Sequence, residues 1–545
     1  MEVEEDIIQS REDLSIDSLP EELLEFILSL IPPYKDLHNC MLVSKKWRRC
    51  VLNVVRTRKR NFQKAIDQVY IKWDHLVPSG SASIITKRFS HAAVICDNSM
   101  YVFGGCTSAM TTFNDLWMLN LSNRKWERPY AMGTYPAPKA CSSLVVYTDL
   151  LVLFGGWTYP PSYPLYQSWH LYNELHVYDT LANRWTCIST LNTPPPMAGH
   201  SASVIGEWMI IFGGLQKPGT AVHCEKSNDI WKLNLETWTW YKQGVHFGPK
   251  PSGRFGQTQV VLDDKNLLIL GGSGGPNTQH CDCWVLNMEG SLWRWIKVDI
   301  DGKINEPTNI WSNPGCKIGD KIVVLNRIKQ NEDTPIVYYP RSHWNQTLPE
   351  DGRLSRIDLA NRRLDKDENV NGRRGFLKKL FKNKKEVEDD EEEDPGPSGM
   401  VEVRRIQCTD YLNMAAFTQP SSSSVQHKNM LREKRLDRLQ KVEEKLSMKH
   451  SNVLAKQKEK KTHRLGIYLL DISQVLGKKS KATWLSPKNL NSGPEETILY
   501  TLVEGKSELV MFGGVLKDAN TSLTCSLSNQ ICNSLHFISS PNYVV

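Results

Sequence analysis

The sequence has no long apolar segment. None of its 545 residues falls in an apolar run approaching the roughly 18 residues that a membrane-spanning helix needs. The first residues, MEVEEDIIQS, are acidic and contain no apolar core of the kind found in secretion signals. We therefore expect no membrane partner, and we expect the protein to reside in the cytoplasm, the nucleus or both.

Paired metal ligands and nucleotide-binding loops are also missing. The 13 cysteines include no Cys-x-x-Cys pair, and the nearest two, Cys281 and Cys283, are separated by a single residue. Zinc sites use paired ligands at set spacings, so we expect reduced thiols, no metal and no cofactor. No glycine-rich loop leads into a helix as phosphate binding requires. These absences argue against a metal- or nucleotide-dependent enzyme.

Much of the charge of the sequence lies in one central stretch. The formal net charge is +7, but a basic run at 372–385 is followed directly by the acidic run EVEDDEEED at 386–394. We therefore expect no nucleic-acid partner for the folded part. Opposed charge runs and a serine tract predict that residues 328–463 form a mostly disordered insertion.

Tryptophan, in contrast, is abundant, with 17 residues, and it marks a repeat. Gly-Gly pairs follow apolar runs, their first glycines lying at 104, 155, 213 and 271, and another pair ends ELVMFGG at 514. A second signature such as NDLWMLN follows each of the first four pairs, and then a late tryptophan: Trp126, Trp185, Trp240 and Trp293. Four short strands in every 50 to 60 residues are typical of a β-propeller blade.

Counting the repeats predicts six blades and an unusual closure. Four blades and the start of a fifth occupy 84–327, and residues 464–540 supply the rest of blade five and three strands of blade six. The isolated segment YIKWDHLV at 70–77 alternates like a strand and contains a tryptophan. We predict that it completes blade six, so that strands from both ends of the chain close the ring.

Residues 14–60 have a helical pattern that a ring of strands does not explain. Ser18 and Glu21 fit a capping box, and a second helical pattern runs from Leu37 to Val51. We expect a helical connector at 61–69 and an acidic tail at 1–13. About forty residues cannot bury a core alone, so some of these apolar residues must pack on the chain or form a docking face.

The order of these helical residues resembles an F-box, with Leu19-Pro20, Ile27-Leu28 and Val43-Ser44-Lys45-Lys46-Trp47 in place. The Gly-Gly and tryptophan pattern resembles the kelch repeat, so the chain is similar to the F-box/kelch family. The resemblance implies binding of a SKP-family adaptor and, through it, a cullin–RING ubiquitin ligase. It also implies that adaptor contact or the core of the module involves Leu19, Pro20, Leu23, Leu24, Ile27, Leu28, Val43 and Trp47.

The loops after each Gly-Gly pair differ most between repeats, and variable loops on a rigid scaffold commonly carry recognition. The longest aromatic loop and two arginines before inner strands are candidates for binding a protein substrate; the alternative is that they pack or pair within the propeller. These candidates are Arg88, Trp157, Tyr159, Tyr163, Tyr166, Trp169 and Arg254.

Two histidines recur at one repeat position, His91 after Ser90 and His200 before Ser201. We interpret them as hydrogen-bonding groups of the blades rather than metal ligands.

The fold class expected from these patterns is α + β multidomain: a short helical F-box, a six-bladed all-β kelch propeller and a long insertion in blade five. The expected function is that of a non-catalytic substrate receptor in a ubiquitin ligase. The alternative is a kelch scaffold without ubiquitin transfer, and a metal-dependent propeller enzyme has the least support.

Overall fold

The computed structural model describes most of the chain outside one long central segment. The described residues are 16–76, 84–107, 111–159, 170–217, 224–275, 278–308, 310–311, 314–328, 463–486, 493–517 and 530–541. They belong to one compact unit, Met1–Thr347 with Lys461–Val545. The insertion expected at 328–463 lies outside them except at its two ends, so its disorder stays a prediction.

Three helices form a small module before the first strand. They are α1 (Glu21–Ser29), α2 (Lys35–Cys40) and α3 (Lys45–Asp67), preceded by a 3₁₀ turn at Ile16–Ser18. Leu24 and Leu28 of α1 are buried against Leu37, Cys50 and Val51 of the other two helices. Because this core contains so few residues, the module depends on further packing against the rest of the chain.

The helices differ from the sequence-based expectation at two points. Helix α1 begins at Glu21 with Pro20, and not Ser18, in the cap position, and no side-chain cap bond is made there. The second helical pattern is divided at Ser44, whose Oγ accepts a hydrogen bond from the Trp47 N–H at 3.2 Å and starts α3. Helix α3 then runs to Asp67 without a break, so the module and the connector are one helix.

The strands form six antiparallel blades of four strands, as the repeat predicts. From the inner to the outer strand, blades one to three are β2 (Ala92–Cys96), β3 (Ser99–Phe103), β4 (Leu116–Asn120), β5 (Lys125–Glu127); β6 (Ser143–Tyr147), β7 (Leu150–Phe154), β8 (Leu175–Asp179), β9 (Arg184–Ile188); β10 (Ser201–Ile205), β11 (Trp208–Phe212), β12 (Ile230–Asn234), β13 (Thr239–Lys242).

Blades four and five continue this order, and blade six takes its outer strand from the start of the chain. They are β14 (Thr258–Asp263), β15 (Asn266–Leu270), β16 (Cys283–Asn287), β17 (Arg294–Asp301); β18 (Gly315–Ile318), β19 (Lys321–Arg327), β20 (Leu465–Asp471), β21 (Lys481–Trp484); β22 (Thr501–Glu504), β23 (Glu508–Leu516), β24 (Ile531–Ser539), β1 (Lys72–Leu76).

Shorter elements lie between the blade strands. They are Met132–Gly133, Trp157–Thr158, His170–Leu171, Met197–Ala198, Leu215–Gln216, Glu225–Lys226, Ser273–Gly275, Thr278–Gln279, Thr497–Ile498 and a 3₁₀ turn at Lys303–Asn305.

The two ends of the propeller differ in their connections. At one end, which we call the loop face, the second strands of blades one to four finish at the Gly-Gly pairs and long connections lead to the third strands. At the other end, the turn face, tight turns such as 97–98 join the first and second strands. The glycines are required sterically: Gly104 has φ +65°, and a Cβ there would lie 2.4 Å from the Lys139 carbonyl oxygen.

Blade five lacks the Gly-Gly pair, and its second and third strands pair over seven positions. Residues Asn326 and Arg327 occupy that position, and β19 remains paired with β20 through Asn326↔Gly466 and Arg327↔Leu465. The described chain leaves at 328 and returns at 463 on the loop face. Blade five is therefore divided by the insertion, as the repeat spacing predicts.

The ring closes through β1, which confirms the partner predicted for YIKWDHLV. Strand β1 pairs antiparallel with β24, from Lys72↔Ser539 to Leu76↔Leu535, and β24 pairs on its other side with β23. Trp73 lies opposite Ile538, which is fully buried. The first and last described strands thus share one sheet.

The late tryptophans occupy one position of the fourth strand, with one correction. Trp126, Trp185 and Trp240 are buried opposite Leu119, Tyr178 and Leu233 of the third strands. In blade four the residue opposite Leu286 is Trp295 and not Trp293. The turn between β16 and β17 is two residues longer than in the earlier blades, so the spacing from the third strand misidentified the residue.

Neighbouring blades are joined by a recurring polar contact beside the inner strands. His91 Nε2 shares a hydrogen bond of 2.8 Å with Thr501 Oγ1 of blade six, and His200 Nε2 shares one of 2.9 Å with Ser143 Oγ of blade two. In blade four, Gln257 takes the same place and donates to Ser201 Oγ at 2.9 Å. The recurring histidines therefore bond between blades.

These buried histidines predict an acid-sensitive ring. Burial lowers the pKa of both His91 and His200 to about 3, with the Arg88 charge adding to the effect at His91. In the unfolded chain these histidines bind protons near pH 6.5, whereas in the folded protein they stay neutral. The free energy of unfolding is therefore highest above pH 6.5 and falls as the pH drops below that value. Each histidine contributes a slope of up to about 1.4 kcal/mol per pH unit. We expect the double variant His91→Gln, His200→Gln, which keeps the Gln257 type of bond, to lose stability less steeply.

Urea unfolding at pH 7.5, 6.5, 5.5 and 4.5 measures this slope. The exposed His38→Gln serves as the control and should follow the wild type. Equal slopes for the double variant and the wild type would contradict the proposed origin of the acid sensitivity.

Removal of β24 should open the ring. A chain ending at Gln530 loses the strand that joins β1 to β23, which leaves Trp73 and the buried face of β23 without cover. We expect loss of the cooperative thermal transition in circular dichroism and rapid proteolysis within the propeller. The variant Lys72→Ala, at an exposed position of β1, should melt as the wild type does. A truncated chain that melts cooperatively at the wild-type temperature would exclude this closure.

Candidate functional site

Helix α1 presents an apolar stripe to solvent. Leu23, Phe26, Ile27 and Leu30 follow one another at helical spacing, and 52%, 61%, 38% and 67% of their surfaces are exposed. We call these four residues the α1 stripe. Neighbouring apolar residues of a soluble domain are normally covered, so an exposed row of this kind indicates an interaction surface.

The predicted adaptor residues divide between this surface and the core of the module. Leu23 and Ile27 belong to the α1 stripe, and Pro20 and Val43 are also exposed. Leu24 and Leu28 are fully buried and hold the three helices together, so of the two expected roles they take the core of the module and not adaptor contact.

The remaining predicted adaptor residues are half-buried. Trp47 packs against the core of the module, and the Leu19 carbonyl accepts a hydrogen bond from Lys46 Nζ at 2.7 Å. Three further exposed residues of the module, Phe26, Leu30 and the 80% exposed Leu42, were not among those predicted. The i, i+3, i+4, i+7 spacing from Leu23 to Leu30 was the signal for the first two.

Helix α3 attaches the module to the turn face. Its last turns bury Phe62, Ala65 and Ile66 in the apolar cluster between blades five and six. Asp67 adds an ion pair of 2.8 Å with Lys321 of blade five. The α1 stripe belongs to a module fixed at the turn face, whereas the variable connections lie at the opposite end.

The loop face uses Arg88 structurally. The side chain is fully buried, and its Nη1 and Nη2 donate to the two Asp115 carboxylate oxygens at 2.8 and 2.9 Å. Nη1 also donates to the Gly104 carbonyl at 3.0 Å, and Trp117 Nε1 donates to Asp115 at 2.8 Å. Burial alone would raise the pKa of the Asp115 carboxyl, but the bonds and charge of Arg88 hold that pKa below its ordinary value.

Arg254 repeats this arrangement in blade four. It is fully buried and bonds both oxygens of Asp282, at 2.6 and 3.0 Å, together with the Gly271 carbonyl. Trp284 Nε1 donates to the same carboxylate at 2.7 Å. The suggestion that Arg88 and Arg254 point at an acidic partner is therefore wrong, and the alternative of pairing within the propeller is what the structure shows.

Blades two and three show which pair of residues forms this internal clamp. In blade two the buried Lys139 bonds Glu174 at 3.1 Å in the same place. Blade three has Asp229 but no cation at this position, and Asp229 instead pairs with Lys242 at 2.9 Å near the surface. A cation before the inner strand, together with an acid before the third strand, is the signal for this internal clamp.

The aromatic loop is only partly described. Trp157 is 3% exposed and packs with Cys106, Ala140 and Leu171, so its assignment to a substrate surface is corrected. Tyr159 is half-buried beside it, its ring edge-on to Trp157 with centroids 4.5 Å apart. Three further candidates lie outside the described residues: Tyr163, Tyr166 and Trp169.

The described part of the chain contains neither a candidate metal site nor a membrane-spanning helix. Within it, no group of three or more His, Cys, Asp or Glu side chains is placed to hold a metal ion. Across those same residues, no helix has the length and apolar character needed to span a membrane.

Replacing Arg88 should destabilise the fold rather than weaken recognition alone. Arg88→Met leaves the Asp115 carboxylate without its partner in a buried site, which costs about 3–5 kcal/mol. The control Lys265→Met breaks the exposed pair with Glu289 and should cost at most about 1 kcal/mol. Urea unfolding at pH 7 measures both changes. An Arg88→Met protein as stable as the wild type would show that the clamp does not hold blade one.

Two family models match the chain. The model described as F-box-like matches residues 16–63, and the model described as FBX42, beta-propeller domain, matches residues 88–308.

Several curated relatives share the propeller region. Kelch domain-containing protein 1 of Mus musculus is 30% identical over 218 residues, 36% of this chain and 52% of that protein. Kelch domain-containing protein 3 of Rattus norvegicus is 26% identical over 268 residues, 47% of this chain and 67% of that protein. Acyl-CoA-binding domain-containing protein 4 of Arabidopsis thaliana is 28% identical over 236 residues, 41% of this chain and 33% of that protein. The chain spans about half the length of the first of these relatives.

The matched segments coincide with the helical module and with blades one to four. Together with the six blades and the divided fifth blade, they agree with the resemblance drawn from the residues. The chain therefore combines an F-box-like segment with a kelch-type β-propeller, which is the domain composition of the F-box/kelch family.

Proposed function

We propose that this protein is the substrate-recognition subunit of an SCF-type cullin–RING ubiquitin ligase. The observation that carries the proposal is the α1 stripe, an exposed apolar row within the segment that matches the F-box-like model. In this role the stripe, with Leu42 and Val43, binds a SKP-family adaptor. Burial of such side chains against a partner is favourable by about 25 cal/mol per Å² of apolar surface.

The proposed partner at the other end of the molecule is a protein substrate. The connections of the loop face vary between blades, while internal clamps such as Arg88–Asp115 hold the strands beneath them. A rigid scaffold that carries variable loops suits recognition. The substrate would be ubiquitinated and then degraded by the proteasome.

In this role the subunit would contribute no reacting group of its own. It would act by holding a substrate lysine near the charged ubiquitin carrier, which raises the effective concentration of the two reactants. The proposal includes residence in the cytoplasm, the nucleus or both.

Adaptor capture tests the proposal directly. Leu23→Arg places a charge in the α1 stripe, and we expect at least about a tenfold weaker affinity for purified SKP-family adaptor, a loss of roughly 1.4 kcal/mol or more. Leu181→Arg changes an exposed leucine of blade two, 77% exposed against 52% for Leu23, and is the control. Biolayer interferometry with the full chain gives the affinities, and immunoblotting of cell extracts shows whether a cullin is recovered with the wild type.

Two results would contradict the proposal. Equal adaptor affinity of Leu23→Arg and the wild type would remove the α1 stripe from the interface. A wild-type protein that binds neither adaptor nor cullin would favour the alternative, a kelch scaffold without ubiquitin transfer.

A further inference from the structure

Tyr34 connects the helical module to the seam where the ring closes. It follows Pro32-Pro33 at the start of α2 and is 1% exposed. Its ring packs in the apolar cluster between blade six and blade one, with Val510, Phe537 and Met100 among its members. A residue of the module thus lies inside the propeller at the junction of its last and first blades.

The Tyr34 hydroxyl completes an ionic clamp across that seam. It donates a hydrogen bond to the Glu508 carboxylate of blade six, and Arg124 of blade one donates to both oxygens of Glu508 at 2.9 and 2.8 Å. The Arg124 guanidinium carbon lies 3.8 Å from the centroid of the Phe537 ring. Burial, followed by the Glu508 charge, raises the pKa of Tyr34, so the phenol remains a neutral donor.

The backbone around this clamp is shaped to admit the tyrosine. A Cβ at Gly505 would lie 2.6 Å from the Tyr34 hydroxyl oxygen, so a larger residue in the turn before β23 would displace the ring. Lys506 Nζ lies 5.6 Å from the centroid of the Tyr34 ring and donates to Asn98 Oδ1 of blade one at 3.0 Å. Blade one, blade six and the helical module therefore meet at one side chain.

The module has a second attachment to the propeller, and a cavity lies between it and Tyr34. Helix α3 buries Phe62 and Ile66 in the seam between blades five and six, on the other side of blade six. Between this anchor and Tyr34, a cavity of about 900 Å³ lies between helix residues such as Leu52 and Val55 and the turn face. Around this cavity the helices lack close packing against the turn face, so the contacts of Tyr34 add a second point of attachment to that of α3.

We propose that Tyr34 is a positioning residue that fixes the orientation of the α1 stripe relative to the propeller by locking the module into the seam where the ring closes. This inference rests on the proposed function for its biological meaning, because orientation decides which substrate lysines a ligase can reach. Its physical content, a single fixed angle between module and propeller, stands independently of any partner.

The test is a distance measurement on the full chain. Nitroxide labels on p-acetylphenylalanine, introduced at the exposed Glu22 of α1 and the exposed Asp264 on the turn face of blade four, avoid the 13 native cysteines. Double electron–electron resonance should give one narrow distance distribution for the wild type. In Tyr34→Ala we expect the distribution to broaden about twofold, because the helices then pivot on the α3 anchor.

Conservative variants separate orientation from folding. Tyr34→Phe keeps the buried ring and loses the hydroxyl, and Glu508→Gln removes the charge that joins Tyr34 to Arg124; both should broaden the distribution less than Tyr34→Ala does. Tyr147→Phe removes a phenol of blade two that lies near the Glu236 charge, away from the module, and is the control. It should leave the distribution unchanged.

A second readout follows the consequence for ubiquitin transfer. With adaptor, cullin and the ubiquitin carrier supplied, mass spectrometry of self-modified lysines should show a wider set of sites in Tyr34→Ala than in the wild type. Adaptor affinity should be unchanged, since Tyr34 lies outside the α1 stripe. A variant that was merely less stable would change the yield of modification and not the set of sites.

Unchanged distance distributions in Tyr34→Ala would overturn the inference. If that variant fails to fold, unchanged distributions in both Tyr34→Phe and Glu508→Gln do the same. Absence of adaptor binding by the wild type would contradict the proposed function but would not affect the distance measurement. The two failures are therefore distinguishable.

Discussion

The pairing of β1 with β24 is the contact on which the other features depend. A propeller is stable only as a closed ring, because every blade buries apolar side chains against both of its neighbours. In this chain blade six is assembled from residues 72–76 and 501–539, so the ring cannot close until both ends of the sequence are in place. The inner strands then contact one another in a complete circle, including β2 with β22.

Closure in blade six also determines how the helices are held. The chain passes from α3 into β1 within four residues, which keeps the helix beside the blade that β1 completes. Phe62 enters one seam of that blade and Tyr34 enters the other. The helical module, too small to form a stable core alone, is therefore stabilised by packing on the propeller. In return, Phe62 and Tyr34 fill the two seams of blade six, whose strands come from both ends of the sequence.

Much of this architecture could be predicted from the sequence because a regular repeat makes a missing or additional strand easy to recognise. Five Gly-Gly pairs and a strand without a neighbour were enough to count six blades and to pair YIKWDHLV with the chain's last strands. The errors arose where chemistry depends on distant partners. Arg88 and Asp115 are 27 residues apart, and only the fold shows that the guanidinium turns inward. Trp293 was chosen over Trp295 because a lengthened turn shifts the spacing without changing the composition.

The long insertion illustrates how the same ring tolerates a large interruption. Closing a flexible connection costs free energy only as the logarithm of its length, so a segment of more than a hundred residues costs about 2 kcal/mol more than a loop of ten. Blade five meets that cost where the chain departs: β19 and β20 pair over seven positions, from Lys321↔Asp471 to Arg327↔Leu465. In blades one to four the ladder between the second and third strands covers five positions and ends before the Gly-Gly pair. In blade five the two further pairs, at Asn326 and Arg327, hold together the two strands from which the insertion leaves.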